Sequence, residues 1–245
     1  ISHKGLGKIY EIEKLFAQIQ LMVETSHVHN VNLVTVDHYL PHVILLSEKI
    51  KERFDIPIVA NISGYQSLDS LKLMEDFIDI YLPDFKYADP DLSRILSRAY
   101  NYPGIALDAI YEMVKQKGML KIREEGPHPT AIKGVLIRHL IIPGHVQNSI
   151  EALDMLFCEF GRSLPISLMS QYCPVIPQRD QSLNRTVTEE EFSTVLGHAL
   201  ELGFLNLFFQ YPEEGLTKLY LPDFESQDPF QITRSDVQEK TFRDL

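Results

Sequence analysis

Hydrophobic positions along the chain alternate between two patterns. Spacings of three and four mark helices, and short unbroken apolar runs mark buried strands. Over about 8–25, Ile9, Ile12, Leu15, Phe16, Ile19, Met22 and Val23 recur at helical spacing. A β-branched run over 32–36 follows, then a helical pattern over 41–54. The alternation repeats as a strand over 57–62, a helix over 68–76 and a strand over 78–82. Asp89 caps the next helical stretch and Pro90 suits its first position. That stretch breaks at Pro103 and resumes to Lys117, with Gly118 as its stop. Residues 119–130 are polar, with Gly126, Pro127 and Pro129, and read as a loop or hairpin. A strand over 135–142, a helix over 148–161, a strand over 164–169 and a loop over 178–185 come next. Thr188 with Glu191 three residues on has the capping-box pattern, and the helix it opens ends near Gly203, before a last strand over 205–209.

Strands that alternate with helices build parallel βαβ units. Six of them predict an α/β protein, a partial (β/α)6 barrel of the TIM type. A doubly wound sheet fits the same pattern. Residues 1–210 make up this domain, and residues 211–245 read as a polar tail.

Composition narrows the classes. The chain has 245 residues, a net charge of -11 and 44% hydrophobic residues, enough to bury a sizeable core. The acidic balance and the lack of a basic stripe argue against nucleic acid as a partner. No apolar stretch approaches the roughly 20 residues of a membrane span. Two cysteines, Cys158 and Cys173, form no disulfide framework, and no secretory pattern follows Ile1. The expected location is the cytoplasm. Cys158 is expected in the core, and Cys173, at a strand's carboxyl end, is a minority candidate to line a pocket.

Parallel α/β folds collect ligand groups at the carboxyl ends of their strands. After the first strand come Thr35, Asp37, His38 and Tyr39, and after the second Asn61, Ser63, Gly64 and Tyr65. Asp84 and Lys86 follow the third, Arg138 and His139 lie on the fourth, and Ser170, Gln171, Tyr172 and Cys173 follow the fifth. Asp84 and Lys86 are two apart, so an extended strand points both to one face, as it does Asn61 and Ser63. Carboxylate, amide and hydroxyl groups suit a ribose diol, and Lys with Arg suits a carboxylate. The same residues also make plain ion pairs and turns. His27 and His29 form an His-x-His pair, but at the strand end away from a barrel site. A Schiff-base lyase using Lys86 is a second reading, weakened because an adjacent carboxylate favours the ammonium form. A non-catalytic nucleotide-binding or scaffold domain is a third.

Six motifs in order carry a resemblance. They are Asn-Leu-Val-Thr-x-x-His-Tyr (32–39), Asn-x-Ser-Gly-Tyr (61–65), Tyr-Leu-Pro-Asp-Phe-Lys-Tyr-Ala-Asp (81–89), Ile-Arg-His-Leu-x-x-Pro-Gly (137–144), Leu-Met-Ser-Gln-Tyr (168–172) and Leu-Asn-Arg (183–185). From about 30 to about 210 the chain resembles the radical S-adenosylmethionine proteins homologous to pyruvate formate-lyase activating enzyme. The resemblance implies S-adenosyl-L-methionine and a [4Fe–4S] cluster as cofactors, and reductive cleavage to a 5′-deoxyadenosyl radical. It implies cofactor-binding roles for Thr35, His38, Asn61, Ser63, Asp84, Lys86, Arg138, Gln171 and Tyr172. Its partners would be a glycyl-radical enzyme or another protein substrate, and an electron donor such as flavodoxin or ferredoxin. The family's first strand and its Cys-x-x-x-Cys-x-x-Cys loop would lie ahead of Ile1, so a chain that starts there is expected to be an inactive fragment holding no cluster. Where the superfamily has Gly-Gly-Glu, this sequence has Val36-Asp37-His38.

Overall fold

The computed structural model describes residues 9–26, 28–124 and 129–212. His27 and the tail from 213 on lie outside the described residues, as do Gly126 and Pro127. In order come α1 (Ile12–Ser26), β1 (Val31–Val34), α2 (Leu40–Arg53), β2 (Ile58–Ile62), α3 (Leu68–Met74) and β3 (Ile80–Pro83). Next are α4 (Pro90–Ser97), α5 (Tyr102–Lys117), β4 (Lys121–Arg123), β5 (Thr130–Val135) and β6 (Ile137–Leu140). The chain continues through α6 (Val146–Phe160), β7 (Ile166–Met169), α7 (Glu189–Leu202) and β8 (Leu207–Phe209).

The six predicted strands are present and parallel, but the fourth is split. One sheet runs β1-β2-β3-β5-β4 and the other β6-β7-β8. The break falls at Leu136, whose N–H still donates to Tyr81 O at 3.0 Å, whereas Ile137 N–H turns to Pro165 O at 3.0 Å. The polypeptide thus changes partner from β3 to β7 without leaving the row of strands. A bridge between Asp84 and Arg138 keeps the two sheets joined. β4 is an antiparallel addition, the hairpin expected from residues 119–130.

Several predicted boundaries move for local reasons. The first strand stops at Val34 because Thr35 is in the left-handed region (φ 57, ψ 53) and a 3-10 turn over Val36–Tyr39 follows. Pro103 does not break a helix. The break comes earlier, at Arg98 and Asn101, both at positive φ, and Pro103 sits in the first turn of α5, where its missing N–H costs nothing. Cys158 was expected in the core, but on α6 it is exposed, because the buried stripe of that helix runs through Ala152, Leu153 and Leu156.

One face of the sheet banks against the helices. Ala60, Ile62, Tyr81, Ile137, Ile166 and Leu168 join the helix residues Leu46, Ile50, Ile110, Leu153 and Phe192 in a single buried cluster. Val59 and Ile80 point the other way and are not in that cluster, yet they are only 4% and 3% exposed. A doubly wound sheet would cover that second face with helices. Here the sheet curls, so the inward residues shelter one another, and the fold is a partial (β/α) barrel of parallel strands. None of the described helices is long and apolar enough to cross a membrane.

Candidate functional site

Strand register decides which side chains share the inner face. Val34 is level with Asn61, and Asn61 with Leu82. Asp84 is level with Arg138, and Arg138 with Ser167. Paired residues of a parallel sheet point to the same side, and residues two apart return to it. Asn61, Ser63, Asp84, Lys86, Arg138 and Gln171 therefore all belong to the inner face, towards the carboxyl ends. Tyr172 belongs to the loop after β7. Thr35 and His38 sit on the rim beyond β1, and both are exposed.

Three charges meet at the centre. Arg138 donates from Nε and Nη2 to one oxygen of Asp84, at 2.8 and 2.5 Å. Lys86 Nζ lies 3.2 Å from the other oxygen. The Asp84 side chain is 11% exposed, against 25% for Arg138 and 35% for Lys86. A carboxylate this sheltered needs its cations, since burial alone penalises the charge. Both of its oxygens are engaged, so its first task is to orient the two cations, and the triad carries one net positive charge. Among the described residues the Asn61 amide has no hydrogen-bond partner. Ser63 Oγ accepts a 3.4 Å contact from Gln66. Gln171 Nε2 donates to Gln210 Oε1 at 2.8 Å on the far side of the mouth.

The loop over 84–89 is tied down by Tyr102 and Asn148, which the sequence did not single out, and by His139, read beside Arg138 on the fourth strand. The Tyr102 hydroxyl donates to Asp84 O at 2.7 Å and accepts from the Lys86 N–H at 3.0 Å. Asn148, at the start of α6, accepts from the N–H groups of Ala88 and Asp89 and donates to Lys86 O at 2.9 Å. His139 is fully buried and meets Phe85 O at 2.6 Å through Nδ1 and Ser149 Oγ at 2.9 Å through Nε2. A carbonyl only accepts, so Nδ1 carries the proton and Ser149 donates to Nε2. Burial pushes the His139 pKa down, against the pull of the Phe85 carbonyl and Asp84, so the ring is neutral. For His139 the signal was its place beside Arg138, the two polar residues of an apolar run. Tyr102 and Asn148 gave none, since a Tyr or Asn on a helix usually faces water. Gly64 (φ +78) completes the loop packing: a Cβ there would sit 2.0 Å from Asp84 O.

Beside Lys86 opens a pocket of about 230 Å³, lined by Tyr87, Leu140, Ile142, Tyr172, Gln178 and Leu183. Leu140 lies two residues past Arg138 on the same inner face. The pocket's outer wall is the loop over 178–188, which would be loose without its clamps. Tyr172 donates to Leu183 O at 2.9 Å. Arg185 pairs with both oxygens of Glu191, which also accepts from Gly144 N–H at 2.7 Å. These donors, Arg185 foremost, hold the Glu191 pKa down at about 2.

Thr35 joins the site only through its backbone, its N–H donating to Asn61 O at 3.1 Å. His38 stands apart from the charged triad. A [4Fe–4S] cluster is another matter. It needs three thiolates from one short loop, and this sequence has two cysteines, Cys158 on α6 and Cys173 after β7. No group of three His, Cys, Asp or Glu among the described residues could hold a metal ion. The residues present do not fit a cluster.

No protein-family model matches the chain. It is 27% identical over 169 residues to the uncharacterized protein MJ0674 of Methanocaldococcus jannaschii, across 68% of this chain and 45% of that protein. The chain thus spans less than half the length of that relative. A domain of pyruvate-formate lyase-activating enzyme from Bacteroides vulgatus matches 74% of this chain and 99% of its own at 14% identity, with a TM-score of 0.49, a likeness too slight to argue from. Streptococcus suis SuiB, in a structure bound to S-adenosylmethionine, covers 86% of this chain and 46% of its own at 10% identity and a TM-score of 0.54. This chain shares the partial-barrel fold of SuiB.

Proposed function

We propose that this barrel binds S-adenosylmethionine at the carboxyl ends of its strands, as a radical S-adenosylmethionine protein related to the activases. The observation that carries the reading is the shared inner row. Asn61, Ser63, Asp84, Lys86 and Arg138 face one lumen, with an apolar pocket beside them. In this reading Lys86 and Arg138 receive the methionyl carboxylate, held in place by Asp84. Asn61 and Ser63 take hydroxyl or amine hydrogens. The adenine lies in the pocket among Tyr87, Leu140, Tyr172 and Leu183, where aromatic and branched walls suit a flat ring. Gln171 borders the site, and Thr35 and His38 rim it. The likeness in fold to a protein bound to S-adenosylmethionine supports the reading, as do the six ordered motifs.

The chemistry such proteins perform needs a cluster that these residues do not hold. A glycyl-radical enzyme or another protein as substrate, and a flavodoxin or ferredoxin as reductant, remain proposals of the same reading. In the Schiff-base alternative Lys86 would have to leave its ion pair with Asp84, at 3.2 Å, to reach a carbonyl.

The test is calorimetric titration of the chain with S-adenosylmethionine. Saturable binding with one site is expected, and weakening by at least tenfold on Lys86→Met, which removes the charge and keeps the stem. No binding at millimolar ligand would overturn the reading. Anaerobic reconstitution with iron and sulfide is expected to leave no stoichiometric cluster on this chain.

A further inference from the structure

One side chain touches both halves of the inner row. Tyr102 is the first residue of α5 and is 2% exposed. Its ring stacks on Tyr65 at 5.9 Å and meets Tyr87 edge-on at 5.2 Å. Its hydroxyl lies 3.0 Å from Ser63 O, on the loop after β2, and 2.7 Å from Asp84 O, on the loop after β3. The same oxygen accepts the Lys86 N–H at 3.0 Å. A tyrosine hydroxyl has one proton, so the two carbonyls share it, with the shorter contact to Asp84. Nothing else described joins these two loops through a side chain. Burial raises the Tyr102 pKa far above its ordinary value, so the proton stays on and the donor is always present.

The structure assigns Tyr102 the role of a positioning residue: one buried hydroxyl locks the Ser63 loop to the Asp84–Lys86 loop, so that the group-holding edges of both strands form a single preformed surface for the amino-acid end of the ligand. The ligand part of this inference rests on the proposed S-adenosylmethionine reading. Tyr102 itself touches no ligand. It acts by fixing the backbone from which Asp84 and Lys86 project, and misplacement by a fraction of an ångström weakens a charged contact.

Tyr102→Phe keeps the ring contacts and removes only the hydroxyl. In the full chain, S-adenosylmethionine is expected to bind on the order of tenfold more weakly. Methylthioadenosine, which keeps the adenine and ribose but lacks the amino-acid end that Lys86 and Arg138 receive, should change by less than about twofold. Hydrogen exchange should quicken at the Lys86 amide and stay unchanged at the Ala88 amide, which Asn148 holds. Tyr81→Phe removes another buried hydroxyl, one that donates to Gln116 on the far side of β3. It serves as the control for general loss of stability and should leave both affinities unchanged. Equal weakening of both ligands would reduce Tyr102 to a structural residue and sink the inference. So would an unchanged Lys86 exchange rate. If the wild-type chain binds neither ligand, the reading of the site falls, and the Lys86 exchange result alone then decides the role of Tyr102.

Discussion

The loop after β3 and the turn after β1 look alike in the sequence, each a strand followed by charged and hydrogen-bonding residues. They differ in the fold. The β3 loop is gripped from behind by Tyr102, His139 and Asn148, all nearly or fully buried, and its carboxylate is sheltered between two cations. The β1 turn is anchored by the buried Val36 and by the Thr35 N–H bond to Asn61 O, but no described side chain braces its polar residues from behind, and Thr35, Asp37, His38 and Tyr39 are exposed. Polar residues at a strand end become a rigid surface only where other elements supply the partners behind them. A binding surface gains from that preorganisation because fewer groups must be ordered when the ligand arrives.

The contrast can be broken most sharply at its charged centre. Arg138→Ala leaves Asp84 sheltered with a single cation and should cost about 3 kcal/mol in urea denaturation; a loss near zero would mean the pair is only a surface contact. Asn148→Ala strands the buried Ala88 N–H and should cost about 2 kcal/mol by the same measurement. Acidity probes the third tie. Folding keeps His139 neutral, so below its ordinary pKa of about 6.5 the unfolded chain binds a proton that the folded one excludes. Stability should therefore fall as pH drops from about 6.5 towards the lower folded value, and His139→Asn, which keeps the donor to Phe85 O, should flatten that part of the profile. Glu191 loses stability in the same direction, on acidification, but in a lower window. Its contribution is complete above 4.5 and is lost as pH falls towards about 2. The rim should answer differently from all of these. Thr35→Gly relieves a β-branched residue at φ 57 and should stabilise the chain by about 0.5 kcal/mol, read as a rise in Tm.

Much of the site was legible because strand periodicity carries position as well as type. Asp84 with Lys86, and Asn61 with Ser63, share a face by their spacing of two, and the register keeps them together. The supports were not legible. Tyr102 comes 16 residues after Lys86, and Asn148 is 62 residues from it, so no local pattern links them. The pocket wall shows the same limit: Leu183 reads as an apolar residue in a polar loop until Tyr172 and the Arg185–Glu191 pair bring that loop over β6.

The sequence by itself determined the alternation of strand and helix, the parallel sheet, the ends at which polar groups collect, and the capping box at Thr188. The elements and the cap depend on neighbours three or four residues apart, and the parallel sheet follows from the order in which those elements alternate. Only the tertiary structure decided that the sheet curls rather than lying flat between helices, that the fourth strand changes partners at Leu136, that Cys158 faces water, and that the β3 loop is braced while the β1 turn is not. Each of those depends on contacts between residues far apart in the chain, whose energies local spacing does not encode.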